Sequence, residues 1–503
     1  MNEEDFYTSE DAAELYLTHD GNYILSKRLS AKLFQIKQAQ PEIPRPADTN
    51  PYTWDEVGFA TLFSECYMDD TRYCSESKMW YTYDNGAWRK DLGSSLVATK
   101  IKEFYTLMRY YCADITDDDI SKKYLNTVAK MGDRRFRDRL MKDAADMMRI
   151  SASAFDAHPN LINCQNGTYD LKTKRFREPD PKDFLTMQTR FEYTVQQNVS
   201  CPRWILFIDE VTEGDKDKAD FLQRALGYSI LGTAREECMF ILHGKTTRNG
   251  KSTLLDAVNH LLGDYSTQAP VELICKADRA RSTENASPVL ARLKGKRVVT
   301  MSENDAGSKL DEEIIKQYTG GEEITARELY QMPITFLPQF TMWLSCNDLP
   351  AVYDRSLFAS KRLKVVEFNH HFTEEEQDKG LKDYFRTQEA MRGIFAWLLE
   401  GYGKYQKAGL AMSENLKAVV KQYEKDNDLV VQFLEEECEV SDEGWTSSKS
   451  LFDRYKLWCR GNGYFACSSK KFNAAVREHP EWYHGEHKRN GYMGYDGLSV
   501  RGV

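Results

Sequence analysis

The chain has 503 residues, a net charge of -10, 41% hydrophobic and 12% aromatic residues. That length admits roughly three domains with cores of their own. The apolar content excludes a disordered chain, and no apolar run is long enough for a membrane-spanning helix. The acidic balance excludes a protein coated in basic charge, so any nucleic-acid contact must be local. Met1-Asn-Glu-Glu-Asp-Phe6 reads as neither a secretory nor a transit signal. The 11 cysteines are scattered without a CxxC pair, which excludes a zinc ribbon or disulfide framework and predicts a reducing, cytoplasmic setting.

Residues 1–35 carry a mixed helical pattern, Asp11 to Leu17 and then Leu25 to Leu33, too short for a domain. Pro41, Pro44, Pro46 and Pro51 predict an extended linker, so 1–53 reads as an adapter and linker. From Trp54 the chain is dense in aromatics. Lys78 to Tyr83 and Ala87-Trp88, around Asp84-Asn-Gly86, predict two strands and an Asn-Gly hairpin turn. Helical patterns follow over Leu96 to Tyr111 and Asp117 to Ile150. In the second, Arg134, Arg135, Arg137 and Arg139 read either as a DNA-facing cluster or as a solvated basic face paired with neighbouring aspartates, the latter being the simpler reading. Leu161 to Leu171 holds a second Asn-Gly turn at Asn166-Gly167, with short strands onward to Tyr193. Cys201-Pro-Arg-Trp204 opens a helical stretch ending near Gly232.

The apolar run Glu237 to Gly244 predicts a buried strand, followed by Lys245-Thr-Thr-Arg-Asn-Gly250-Lys251-Ser252-Thr253 and a helix opening at Ser252. This is the context of a phosphate-binding loop. Backbone N–H groups turn toward the phosphates, Lys251 reaches the β and γ phosphates, the Ser252 hydroxyl ligates magnesium, and the helix N-terminus favours the anion. The spacing departs from the usual one: five residues separate Gly244 from Gly250, with Lys245 where the first glycine would stand. The reading is a lengthening near Lys245 and Thr246 that leaves Asn249 to Thr253 intact.

Asn166-Gly-Thr-Tyr-Asp-Leu171, Cys201-Pro-Arg-Trp204, Phe221-Leu-Gln-Arg-Ala-Leu-Gly-Tyr228 and Arg248-Asn-Gly-Lys-Ser-Thr253 occur in the order that resembles the phage/plasmid primase-helicase family, which includes the poxvirus-type primase-helicases. The resemblance runs from about Trp54 to the C-terminus. It implies an α/β fold: an AAA+-like superfamily 3 ATPase core with an α+β N-terminal domain and a C-terminal winged helix, assembling as a hexameric ring on ATP and Mg2+. The expected division is 54–205 for the N-terminal helicase-associated domain, 206–370 for the ATPase core, 371–428 for a helical connection and 429–503 for the winged-helix-like domain. Only some 50 residues precede the family-like region, so the N-terminal primase module of many relatives is expected to be missing and any primase to be a separate chain, with 1–35 a candidate dock.

Further along, Lys296 to Ser302 predicts a strand that delivers Glu303 from its C-terminal end toward magnesium and the attacking water, where open α/β sheets bind ligands. Asp305 stands as a candidate second acid. Ile324 to Leu329 and Ile334 to Leu337 predict a hairpin. The family's hairpin enters the ring channel, which makes Arg327 and Tyr330 candidates for DNA contact, with an ordinary structural hairpin as the alternative; Glu328 and Gln331 make the tip less basic than the family's. Phe340 to Cys346 predicts a buried strand ending at Asn347, which matches the family's γ-phosphate sensor. Ser360 to Phe368 resembles the family's arginine-bearing strand, with Arg362 as a finger for the neighbouring subunit's nucleotide and Lys361 where a second arginine is usual. Resemblance thus implies the catalytic set Lys251, Glu303, Asn347 and Arg362, nucleotide binding by Gly244, Asn249, Gly250, Lys251, Ser252 and Thr253, and metal held by Ser252 and Glu303.

Helices are expected from His371 to about Asp428. Three further helices, at Leu429 to Cys438, Lys449 to Gly461 and Lys470 to His479, and a hairpin from Trp482 to Val500 fit a winged helix. Lys470, Lys471, Arg477, Lys488 and Arg489 lie among Tyr464, Trp482 and Tyr492, a local basic patch that reads as a DNA contact or a protein-docking wing. The leading expectation is an ATP-driven DNA helicase moving 3′ to 5′ in replication of a phage, plasmid or similar element, in the bacterial cytoplasm if phage or plasmid encoded. An origin-binding or assembly ATPase without unwinding and a nucleotide-switched signalling or defence ATPase are the alternatives.

Overall fold

The computed structural model describes residues 55–113, 118–196, 199–276, 287–303, 308–327, 333–352, 356–464 and 466–501, together with the short strands at 16–17 and 23–24. Those strands, β1 (Tyr16–Leu17) and β2 (Tyr23–Ile24), pair antiparallel. They correct the helical reading at Leu17: in Tyr16-Leu17 and Tyr23-Ile24 the aromatic and branched residues favour strand over the helical period. The proline-rich linker lies outside the described residues.

The first folded region is α+β. Helix α1 (Glu56–Tyr67) is capped by Asp55, whose carboxylate accepts from Gly58 N. Strands β3 (Thr71–Cys74), β4 (Met79–Asp84) and β5 (Ala87–Asp91) form the expected hairpin, with Asn85 and Gly86 at φ 47 and 80 in its turn. The strand β6 (Arg149–Ile150) completes a sheet of order β5-β4-β3-β6. Helices α2 (Ser95–Ala113), α3 (Asp118–Ala129) and α4 (Arg134–Met147) pack with α1 over Phe63, Phe104, Tyr124 and Phe136. The single helical run expected over Asp117 to Ile150 is broken near Gly132, where Asp133 caps a new helix. The arginines are tied locally: Arg139 forks onto Glu56 at 2.6 and 2.8 Å, and Arg137 donates to the carbonyls of Met131 and Gly132.

A small sheet of β7 (Leu161–Cys164), β8 (Gly167–Asp170) and β9 (Arg175–Arg177) follows. Its first turn is Gln165-Asn166, because Gly167 already pairs with Cys164 in the ladder. Helices α5 (Pro202–Thr212) and α6 (Lys216–Ser229) then lead to the central sheet. Its strands are β10 (Met239–His243), β11 (Ser266–Gln268), β12 (Val298–Ser302), β15 (Thr341–Cys346) and β16 (Leu363–Glu367); the hairpin β13 (Ile324–Ala326) and β14 (Ile334–Phe336) lies between β12 and β15 in sequence. All the central strands are parallel, in the order β11-β12-β15-β10-β16.

Both faces of this sheet are covered, which is why its strands are apolar almost throughout. Phe240, Leu242, Trp343 and Val366 face one core, built with α5, α6, α7 (Lys251–Leu262) and α9 (Gln388–Ala408); α8 (Glu312–Thr319) precedes β13. Met239, Ile241, Met301, Leu344 and Val365 face the other, which includes Tyr423 of α10 (Glu414–Asp426). The C-terminal module runs α11 (Leu429–Glu437), β17 (Cys438–Ser447), α12 (Ser448–Gly461), α13 (Ser469–Arg477), β18 (Gly485–Arg489) and β19 (Tyr492–Val500), with sheet order β17-β19-β18. This is a winged-helix arrangement. Strand β17 went unread in the sequence because polar and acidic residues, Glu439 to Gly444, interrupt its pattern, and its pairing slips between Val440 and Trp445. The fold is therefore a mixed α/β one around a parallel sheet.

Candidate active site

Strand register decides which residues meet. His243 lies opposite Cys346 on one side and Glu367 on the other, and Ser302 lies opposite Ser345. The next residues along, Gly244, Asn347, Phe368 and Glu303, therefore emerge at one edge of the sheet. The chain leaves β10 toward β11 on one side and leaves β15 toward β16 on the other, so this edge is a switch point with a crevice above it.

Helix α7 opens at Lys251, one residue earlier than the sequence pattern suggested, behind Gly250 at φ 85. A Cβ on Gly250 would strike Val211 and Phe207 of α5, so the position needs glycine for both conformation and space. Gly244 needs it for space: an added Cβ would overlap the Asn249 amide and the Phe368 carbonyl and lie 3.1 Å from Lys251 Nζ. Lys245, Thr246, Thr247 and Arg248 between them are exposed. Asn249 Nδ2 closes this longer loop by donating to Thr246 O at 2.6 Å, with Arg248 left-handed at φ 56. The segment after β16 braces it from outside: Phe372 N donates to Arg248 O at 2.9 Å and His371 Nδ1 is 2.8 Å from Thr247 O. Nothing in the residue pattern marked His371 and Phe372, because their role comes from the neighbourhood of β16 and β10.

Lys251 is only 5% exposed; its Nζ donates to Gly244 O at 2.9 Å and to Asn347 Oδ1 at 3.1 Å. Burial lowers its pKa from the ordinary lysine value. Ser252 is exposed and Thr253 half-buried in the same first helical turn. Glu303 is buried, and its backbone N–H donates to Ser345 O at 2.9 Å. Between these groups lies Cys346, whose thiol burial pushes up to about 12; Glu303 also raises it and Lys251 opposes, so the thiol is neutral and within electrostatic reach of both. Lys251, Asn347 and Glu303 thus converge.

Arg362 does not join them. It precedes β16 beside Met239, roughly 15 Å along the strands from the other edge at about 3.3 Å per residue. There its guanidinium donates to Thr319 Oγ1 at 2.6 Å and Glu237 Oε2 at 2.7 Å. Arg327 is exposed at the end of β13, and Lys470 and Lys471 are exposed in the first turn of α13. The expected strands to Leu329 and Leu337 are shorter here, ending at Ala326 and Phe336; Tyr330 and Asp305 lie outside the described residues. Among the described residues no group of three His, Cys, Asp or Glu side chains is placed to hold a metal ion. A hydroxyl and a carboxylate, Ser252 and Glu303, are nonetheless the oxygen donors that suit a hard cation retaining water and phosphate ligands.

Three family models match the chain: D5 N terminal like over residues 60–213, a family of unknown function over 242–362, and Poxvirus D5 protein-like over 425–498. "Putative helicase L207/L206" of Acanthamoeba polyphaga mimivirus is 25% identical over 487 residues, covering 90% of this chain and 50% of that protein. "Putative helicase 184R" of Invertebrate iridescent virus 6 is 23% identical, over 72% of this chain and 40% of that protein. The chain therefore spans about half the length, or less, of these relatives. Among solved structures, the apo NrS-1 C terminal region matches with a TM-score of 0.48 and 11% identity, over 88% of this chain and 99% of that one. The fold is that of an α/β protein with a parallel central sheet and a C-terminal winged module. D5-like models thus match both the N-terminal and the C-terminal parts of the chain, and its relatives are named as viral putative helicases. No helix among the described residues is long and apolar enough to cross a membrane.

Proposed function

We propose that the chain is the motor of a replicative DNA helicase, an ATP hydrolase that works as a ring, with the 3′ to 5′ polarity the resemblance implies. The observation that carries this reading is the meeting of Lys251, Asn347 and Glu303 over one crevice, with Lys251 Nζ 3.1 Å from Asn347 Oδ1. In the proposed reaction, backbone N–H groups from Gly244 to Lys251 and the α7 N-terminus bind the ATP phosphates. Lys251 exchanges its two protein acceptors for phosphate oxygens. Glu303 accepts a proton from the attacking water, and Asn347 orients that water or the γ-phosphate. Ser252 and Glu303 would hold Mg2+, which when bound neutralises phosphate charge.

Arg362 is assigned to the neighbouring subunit's nucleotide. Its distance from its own phosphate loop supports action in trans, whereas its bonds to Glu237 and Thr319 favour a structural tie as the second reading. Arg327 and Tyr330 on the hairpin and Lys470 and Lys471 on α13 are the proposed DNA contacts, the latter pair through phosphates and without sequence choice.

Single-stranded DNA should stimulate ATP hydrolysis by the full chain. Glu303→Gln should bind ATP yet lose turnover by about 10²-fold or more. Arg362→Ala mixed with Lys251→Ala should regain activity that neither has alone, since one supplies the phosphate loop and the other the finger. Turnover by Glu303→Gln at the unmodified rate would sink the site assignment, and absence of regained activity would leave Arg362 a structural tie.

A further inference from the structure

The loop after β15, residues 347–352, is fastened on two sides. Toward the strand end that carries Glu303, Ala351 N donates to Ser308 O at 2.8 Å and Leu310 N to Ala351 O at 2.9 Å. Toward α10, Tyr423 OH donates to Pro350 O at 2.5 Å, and Val352 N donates to Asn427 Oδ1 at 2.8 Å. Asn427 Nδ2 donates in turn to Tyr423 O at 2.9 Å, so the two grips form one unit at the end of the helix. Tyr423 is fully buried, edge-on to Phe358 at 5.1 Å between ring centres. Its phenol is raised well above its ordinary pKa, first by burial and then by Cys346 and Glu303.

The next residue, Asp428, continues the connection into the winged module. It caps α11 by accepting from Val430 N and Val431 N at 3.0 and 3.2 Å, and its other oxygen is 3.2 Å from His479 Nε2, just past α13. Hydrogen bonds joined by short stretches of chain therefore lead from Lys251 through Asn347, Pro350, Tyr423, Asn427 and Asp428 to His479.

We propose that Tyr423 and Asn427 are positioning residues: they hold the loop that presents Asn347 to the phosphate site and pass its displacement to the winged module. This rests on the reading of Lys251 and Asn347 as an ATP site. An entering γ-phosphate competes for the Lys251 ammonium with Gly244 O and Asn347 Oδ1. Asn347 then reorients, and beyond it the loop is held by the packing of Leu349 and by the hydrogen bond at Pro350 O. Because that carbonyl is held by a buried hydroxyl, the loop cannot shift without α10, and α10 ends on the cap of α11. The loop and α10 are the element both sites would bias, which is what distinguishes coupling from mere spatial continuity.

The test uses the full chain, a fluorescent ATP analogue with Mg2+, and amide hydrogen exchange of residues 429–437. In the unmodified chain, the analogue should change exchange in α11 by about threefold or more. Tyr423→Phe keeps the ring and its packing but loses the donor. It should bind the analogue within about twofold of the unmodified chain, lose the α11 response, and lower kcat about tenfold with KM unchanged. Asn427→Ala, which breaks the second grip, should do the same if Tyr423→Phe folds poorly. A response that persists in a folded variant of either kind overturns the relay. So does an unmodified chain that binds the analogue without any α11 response, and that outcome leaves the ATP site standing. Failure of the unmodified chain to bind the analogue removes both.

Discussion

The central sheet carries a buried cation at each end, and the two differ in how far each is enclosed. At the phosphate edge, Lys251 is held by one backbone carbonyl and one amide oxygen, both neutral. At the other edge, Arg297 is buried completely, donates to Ile230 O at 2.6 Å and to Leu161 O, and lies over the Tyr265 ring at 4.6 Å. Its backbone is fixed too, N to Tyr265 O at 2.7 Å and O from Thr341 N at 2.8 Å. Arg297 thereby joins the end of α6, the start of β7 and the entry to β12. Nothing about it is exchangeable without exposing buried carbonyls. Lys251, by contrast, lies beside the exposed loop Lys245 to Arg248, whereas Arg297 is closed in among three segments and a ring. Two buried cations of like sign thus separate function from architecture by how far each is enclosed.

The largest effect expected from breaking this comparison is on turnover. Lys251→Met should reduce ATP hydrolysis by about 10²- to 10³-fold, measured as phosphate release, because a donor aimed at developing charge is removed. Second comes Arg297→Met, which should cost about 3 kcal/mol of stability in denaturant unfolding, since Ile230 O and Leu161 O lose their buried partner. Nucleotide affinity of the folded fraction should be unaffected. A smaller effect concerns Lys251 and pH. Burial lowers its folded-state pKa below the 10.5 of a free lysine, so between those values the folded chain binds fewer protons than the unfolded one and stability rises with pH. The melting temperature of Lys251→Met relative to the unmodified chain should accordingly fall between about pH 7 and about pH 10, as the unmodified chain sheds the cost of its buried charge. Smallest of all, Arg134→Ala should leave the melting temperature unchanged within error. Its ion pair with Asp138, at 3.8 Å, is highly exposed and worth roughly 0.5 kcal/mol or less.

Much of the phosphate edge was legible in the residues. The run Met239 to Leu242 is apolar at every position, the glycines and Lys251 follow shortly after, and Glu303 and Asn347 each sit one residue past a largely apolar strand. Parallel strands buried on both faces announce themselves by continuous apolar sequence, and the polar residue at each C-terminal end marks the ligand side. Strands β17 and β1 were not legible, since their residues lack a clean period and pairing partners far along the chain or across a turn decided their state. Tyr423 gave no signal either: as one aromatic among 28 tyrosines it has the pattern of a core residue, and its hydroxyl's acceptor, Pro350, is 73 residues away.

The sequence by itself determined the local chemistry: which strands are buried, where the glycine loop bends before Lys251, and where Asp and Ser caps start the helices of the winged module. Those features depend on residues within one or two turns of each other, so composition and spacing suffice. Only the tertiary structure decided who meets whom. It brought Asn347 to Lys251 across the register of β10 and β15, set Arg362 at the far end of its strand against Glu237 and Thr319, buried Arg297 among three segments, and fastened the loop after β15 to α10. Such contacts join residues up to 136 positions apart, and only burial and strand order fix them.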